Sequence, residues 1–294
     1  MKVLITGAHG QLGQDIARIF NLAGHEVFNC GREELNITDL DQCLQVSSTH
    51  RPDWIIHCAA YTAVDAAETD VDGAYLVNAV GTRNMALTAE KIDAKIVFIS
   101  TDYVFSGTSG RPYIEYDFPD PQSVYGKSKL AGEQIVQSFC SRWFIVRTSW
   151  LFGLHGNNFV KTMLRLGQEK PLLKVVNDQK GSPTYTVDLA QFLINLISTE
   201  KYGIYHASNS GSCTWYEFTS AIFEEAREQL GLTITAELQP CTTAEFPRPA
   251  PRPANSTMDH LAIRLNQFED LLHWREGLKQ FMLDMKQHPK LYLK

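Results

Sequence analysis

The stretch that most restricts the fold is the first thirteen residues. Lys2-Val3-Leu4-Ile5-Thr6 is a short apolar run of the kind that forms a buried parallel strand. It ends in Gly7-Ala8-His9-Gly10-Gln11-Leu12-Gly13, after which apolar residues recur at Leu12, Ile16, Ile19 and Phe20, the spacing of a helix with one face on a sheet. Gly7 permits the tight turn, Gly10 lets the backbone approach a pyrophosphate, and Gly13 allows helix and strand to pack closely. The helix start offers unpaired N–H groups and the positive end of its dipole to phosphate oxygens. Strand, glycine loop and helix in this order predict a dinucleotide site. His9 is expected at its solvated edge.

The same alternation continues. Residues 26–30 read as a second strand, ending in Cys30-Gly31-Arg32 with no carboxylate before Glu33. An acid at Cys30 would grip ribose hydroxyls and repel a 2′-phosphate, whereas Arg32 can pair with one. The expected cofactor is therefore NADPH, with NADH as the alternative. Asn36 or Thr38 is expected to cap the next helix. Residues 53–60 form a third strand whose small end, Cys58-Ala59-Ala60, suits contact between backbone and cofactor, with His57 a core residue. A helix is expected over 72–91, with Asn78 near its middle, then a fourth strand over 95–100 delivering Thr101 to the sheet edge. Residues 103–124, rich in Gly, Pro and acids, read as a surface loop, and 143–149 as a fifth strand. The pattern predicts an α/β fold with a doubly wound parallel sheet, which binds ligands at the carboxyl ends of its strands.

Beyond Trp150 the pattern loosens. Helices are expected over 159–166, 187–197, 216–230 and 269–285, and strands over 173–176 and 233–239, with a polar loop over 178–184. This divides the chain into a cofactor domain, 1–150, and a smaller substrate-binding lobe, 151–294, interleaved with the last sheet strands.

Tyr125 and Lys129 lie at i and i+4 of a helical stretch, so both leave one face. A phenol has a pKa of about 10, and a nearby ammonium is expected to draw it towards neutrality. A hydroxyl from Thr101 can hold the substrate oxygen. The three make a proton-transfer site for a carbonyl being reduced or an alcohol being oxidised.

Charge and composition exclude other classes. A formal net charge of -6 and the lack of any basic run argue against a nucleic-acid surface. No apolar stretch approaches the about 18 residues of a membrane span, and Met1-Lys2 leads straight into a strand, so a cytoplasmic protein without a membrane partner is expected. The six cysteines are scattered without a C-x-x-C pair and read as reduced thiols rather than a disulfide framework or zinc site.

The glycine loop with Thr101, Tyr125 and Lys129 in this order resembles the extended short-chain dehydrogenase/reductases, a family of nucleotide-sugar epimerases, dehydratases and reductases. Six further stretches are similar to its branch that reduces a sugar C4 ketone: 100–105, 124–133, 147–150, 156–159, 177–179 and 181–184, together with Arg252-Pro253. The resemblance implies a Rossmann-type fold and reduction of dTDP-4-dehydro-6-deoxy-L-mannose (dTDP-4-dehydrorhamnose) to dTDP-L-rhamnose. It implies that Tyr125 donates the proton, that Lys129 holds the nicotinamide ribose, and that Thr101 binds the C4 oxygen. It places Asp102, Trp150, Asn158 and Arg252 at the substrate. Gly10, Gln11 and Leu12 fall at the pyrophosphate, Asn36 and Ile37 at the adenosine, and Ala60, Tyr61 and Thr62 at the nicotinamide half, with Cys30, Ala59 and Asn78 also at the cofactor. A homodimer is among the possible assemblies, and some members bind Mg²⁺ between subunits through glutamates, one of them on the first helix. The matching residue on the first helix is Asp15, and no metal is expected. Two other functions stay open on the residues alone: a non-catalytic dinucleotide-binding subunit, and an epimerase or dehydratase of another nucleotide sugar.

Overall fold

The computed structural model describes residues 1–288, so the last six residues of the expected 151–294 lobe lie outside the described residues. Six parallel strands form the central sheet: β1 (Lys2–Thr6), β2 (Glu26–Cys30), β3 (Trp54–His57), β4 (Lys95–Thr101), β5 (Trp143–Thr148) and β6 (Gly203–His206). Their order is β6-β5-β4-β3-β1-β2, so the chain moves one way from β1 to β2 and the other way through β3 to β6. That reversal beside β1 is where an open α/β sheet leaves a crevice at its carboxyl edge.

The period of two along each strand decides which face each residue covers. Val3, Ile5, Ile56, Val97, Ile99, Phe144 and Val146 are buried under the helices Gln11–Leu22 and Thr186–Ile197. Leu4, Ile55, Ile96, Phe98 and Ile145 are buried on the opposite face, with Met85, Ala86 and Val136 from helices Thr82–Lys91 and Val124–Phe139. Both faces are covered, which is why these strands read as continuous apolar runs. A separate core joins helices Phe159–Glu169, Trp215–Leu230 and Trp274–Gln287 through Val160, Leu164, Phe218, Ile222, Phe281 and Met282.

Several boundaries differ from the sequence reading. The cap of helix Leu40–His50 is Asp39, whose carboxylate accepts from the Gln42 N–H. Asn36 instead accepts from the N–H and hydroxyl of Thr38, and this local turn removes both residues from the capping role. The helix expected over 72–91 is interrupted by a π-turn, Leu76–Gly81, between Val71–Tyr75 and Thr82–Lys91. The last helix starts at Trp274, because Asp270 is committed to the His260 ring and the Leu271 N–H. A strand forms at Glu237–Cys241 rather than 233–239, paired with Leu172–Val176. The loop over 103–124 is not wholly superficial: Phe105 and Tyr113 stack 4.2 Å apart and are buried with Met258. β6 went unread because four residues opening on a glycine with φ 146° carry no run long enough to notice.

Candidate active site

The strand ends open into a cleft of about 830 Å³ that runs from the glycine loop past Thr101 to Tyr125, Lys129 and Trp150. At one end Gly7 adopts φ 65°, and a Cβ there would lie 2.8 Å from the Ala59 amide nitrogen. A Cβ on Gly13 would lie 2.3 Å from the Gly7 carbonyl oxygen, so the loop can close on the helix only with glycine here. No side chain caps helix Gln11–Leu22, whose first residues, Gln11 and Leu12, line the cleft beside Gly10. An uncapped helix start, a bare loop and a cleft of this size fit the pyrophosphate of a dinucleotide.

At the other end Ser123 caps helix Val124–Phe139 by accepting from the Gly126 N–H. A Cβ on Gly126 would sit 2.2 Å from the Tyr103 carbonyl oxygen, so this glycine lets the helix start press against the turn after β4. Tyr125 meets Tyr103 edge to face at 5.6 Å. The Thr101 hydroxyl donates to Asp102 Oδ1 at 2.9 Å, while Asp102 Oδ2 is buried without a partner. Burial pushes the Asp102 carboxyl up to about 6.

The electrostatics of the Tyr/Lys pair correct the sequence reading. Lys129 Nζ donates to the Ile99 carbonyl at 2.6 Å and lies 4.1 Å from the Phe98 ring centre. Burial lowers its pKa to about 8, opposed by Glu133 and Cys58. Tyr125 is pushed up to about 12 by burial, and the group that draws it down is the Thr101 hydroxyl, not Lys129. The phenol is thus held protonated near neutrality, the form a proton donor needs.

Of the residues singled out in the sequence, Gly7, Gly10, Gln11, Leu12, Gly13, Arg32, Asn36, Ile37, Ala59, Ala60, Tyr61 and Thr62 line the cleft, as do Thr101, Asp102, Tyr125, Lys129 and Trp150. Four stand behind or beside it. Cys30 is buried and reaches the glycine loop through its carbonyl, which accepts from the Ala8 N–H at 3.2 Å. Asn78, in the π-turn, bonds both the N–H and C=O of Tyr61 and the Ser128 hydroxyl, so it fixes the loop after β3. Asn158 caps helix Phe159–Glu169 and donates to Gln11 Oε1 at 2.9 Å. Arg252 is paired with Asp65 at 2.8 Å and borders a small cavity beside Tyr103.

Three participants escaped the sequence reading. Glu34 folds back to accept from the Gly31 N–H at 2.8 Å and pairs with His9 at 3.2 Å, bringing a carboxylate to the corner where Arg32 stands. Its only signal was its place within one turn of Gly31. Asn157 lines the cleft from the loop before helix Phe159–Glu169. Trp215 stacks on Trp150 from a helix far along the chain.

A dinucleotide loop sharing one cleft with a threonine, a protonated tyrosine and a buried lysine defines a nicotinamide-dependent oxidoreductase of the short-chain type. A family model described as the RmlD substrate binding domain matches residues 1–287. A spore coat polysaccharide biosynthesis protein of Bacillus subtilis is 46% identical, over 96% of each chain. A dTDP-4-dehydrorhamnose reductase of Aggregatibacter actinomycetemcomitans is 42% identical, over 95% of this chain and 97% of its own. Among solved structures, a dTDP-4-dehydrorhamnose reductase of Bacillus anthracis in complex with NADP superposes with a TM-score of 0.93 at 46% identity, covering 96% of this chain and 99% of that one. The chain belongs to the RmlD family. Among the described residues no helix is long and apolar enough to cross a membrane, and no cluster of three or more His, Cys, Asp or Glu could hold a metal ion.

Proposed function

We propose that the protein reduces the C4 ketone of dTDP-4-dehydro-6-deoxy-L-mannose to give dTDP-L-rhamnose, using NADPH with NADH as a weaker substitute. The observation that carries this reading is that Thr101, Tyr125 and Lys129 line the same cleft as the glycine loop. The family membership and the NADP-bound relative supply the substrate and cofactor. On this reading residues 1–150 hold the cofactor, and segments after Trp150 cover the sugar.

A bound reduced nicotinamide supplies hydride to C4, and the chain's own residues manage the oxygen. The Thr101 hydroxyl turns from Asp102 Oδ1 to donate to the C4 oxygen when the sugar binds. As negative charge develops there, the Tyr125 phenol releases its proton to it, so that C=O becomes CH–OH and the phenolate is left behind. Lys129, one turn along, holds the cofactor ribose and supplies positive charge beside that phenolate. Asp102 and Trp150 hold the sugar, and Arg252, paired with Asp65 beside Tyr103, also contacts the substrate. Arg32 takes the 2′-phosphate of NADPH.

The test is to supply the keto sugar with NADPH carrying deuterium on the transferable position. Deuterium at C4 of the product deoxyhexose supports the reading. A product without label, or an unreacted ketone, rejects it.

A further inference from the structure

Trp150 is held in place more tightly than a contact residue requires. It lines the cleft beside Thr148 and Ser149, yet its backbone sits in the left-handed region at φ 47°. A bulky L residue keeps that conformation only where its surroundings impose it. The Trp150 carbonyl accepts from the Thr184 N–H at 3.2 Å, which anchors the backbone.

The indole is fixed by two other contacts. Trp215 lies parallel to it, with ring centres 3.4 Å apart and planes 6° from parallel. Gly181 brings bare backbone against its edge: a Cβ there would lie 2.5 Å from the Trp150 ring. Trp215 is itself immobilised. It opens helix Trp215–Leu230 inside a capping box made by Thr214 and Glu217, and it packs on Phe159 at 4.4 Å. Neither Trp215 nor Gly181 lines the cleft.

We infer that Trp215 and Gly181 are positioning residues that set Trp150 as a rigid apolar wall of the sugar pocket and so tune its fit to a deoxyhexose. This rests on the reading of the cleft as a nucleotide-sugar reductase site. An indole face suits the C–H surface and C6 methyl of such a sugar, and a wall fixed in advance costs no ordering when the sugar binds. Helix Trp215–Leu230 thereby links the core of the smaller lobe to specificity without touching substrate.

The test compares Trp215→Leu, Trp215→Phe and Gly181→Ala with wild type, each checked for folding by far-UV circular dichroism. Trp215→Leu removes the stack, and Gly181→Ala displaces the indole from its other contact. Both should raise KM for the sugar nucleotide about fivefold to tenfold, with KM for NADPH within about twofold of wild type. Trp215→Phe should recover most of the loss. The stacked indoles should give a near-ultraviolet dichroism couplet that Trp215→Phe abolishes. Wild-type turnover with unchanged sugar KM in Gly181→Ala and in a folded Trp215→Leu overturns this inference alone, as does an equal rise in both KM values. Should Trp215→Leu fail to fold, Gly181→Ala decides. A wild-type enzyme that leaves the sugar unreduced overturns the reading of the cleft and this inference with it.

Discussion

Replacing Tyr125 by Phe removes one oxygen and little else. The ring's edge-to-face contact with Tyr103 at 5.6 Å remains, Ser123 still caps the helix, and Lys129 stays on the Ile99 carbonyl at 2.6 Å. The cleft keeps its shape, so the loss isolates proton donation. Thr101 cannot substitute, because an aliphatic hydroxyl is a far weaker acid than a phenol. General acids contribute about a hundredfold to ten-thousandfold, or roughly 3–5 kcal/mol of barrier. Asp102, raised to about 6, is mostly ionised at neutral pH and offers little replacement acid. We expect kcat to fall by at least about a hundredfold, with NADPH affinity within about twofold of wild type. Steady-state nicotinamide absorbance gives the first quantity, and quenching of intrinsic fluorescence by NADPH the second. Turnover within about threefold of wild type would refute the assignment of the acid.

Other expectations follow from the same geometry. Burial disfavours the charged form of Lys129, so its ammonium is present below about 8 and lost above it. Accordingly kcat/KM should decline as pH rises through about 8, and a flat profile across that range would remove Lys129's charge from the mechanism. Arg32→Ala should raise KM for NADPH about tenfold while leaving NADH nearly unchanged, as expected for loss of a guanidinium–phosphate pair. Equal effects on both would make Arg32 a solvated loop residue. Glu133 and Arg147 form a buried bidentate pair, at 2.9 and 2.7 Å, that ties helix Val124–Phe139 to β5. Glu133→Gln leaves the guanidinium uncompensated and should cost about 3–5 kcal/mol in urea unfolding. A loss below about 1 kcal/mol would show the pair to be dispensable.

The parts of the fold legible in the sequence are those written in local periodicity. Val3/Ile5 and Leu4 fall on opposite faces of β1 as their alternation requires, and Ile16 and Phe20 meet the sheet as helical spacing requires. Features set by tertiary partners were not legible. Nothing near Asn78 announces a π-turn, because its reason is the Tyr61 backbone and Ser128, both distant in sequence. The pairing of Tyr125 with Lys129 was visible from their spacing, but the electrostatics were not. Spacing cannot show that the ammonium bonds the Ile99 carbonyl or that burial, opposed by the Thr101 hydroxyl, sets the phenol's pKa. Glu34 and Trp215 were missed for the same reason, since each matters through a contact made only in three dimensions.

The central claim is a net reduction at a sugar ketone with Tyr125 as the acid. It is tested most directly by following nicotinamide absorbance as the enzyme meets dTDP-4-dehydro-6-deoxy-L-mannose and excess NADPH, and by counting product. NADPH should disappear mole for mole with the appearance of dTDP-L-rhamnose. Conversion of the sugar without net loss of NADPH would mean that the cofactor is recycled, as in an epimerase or dehydratase, and would contradict the account.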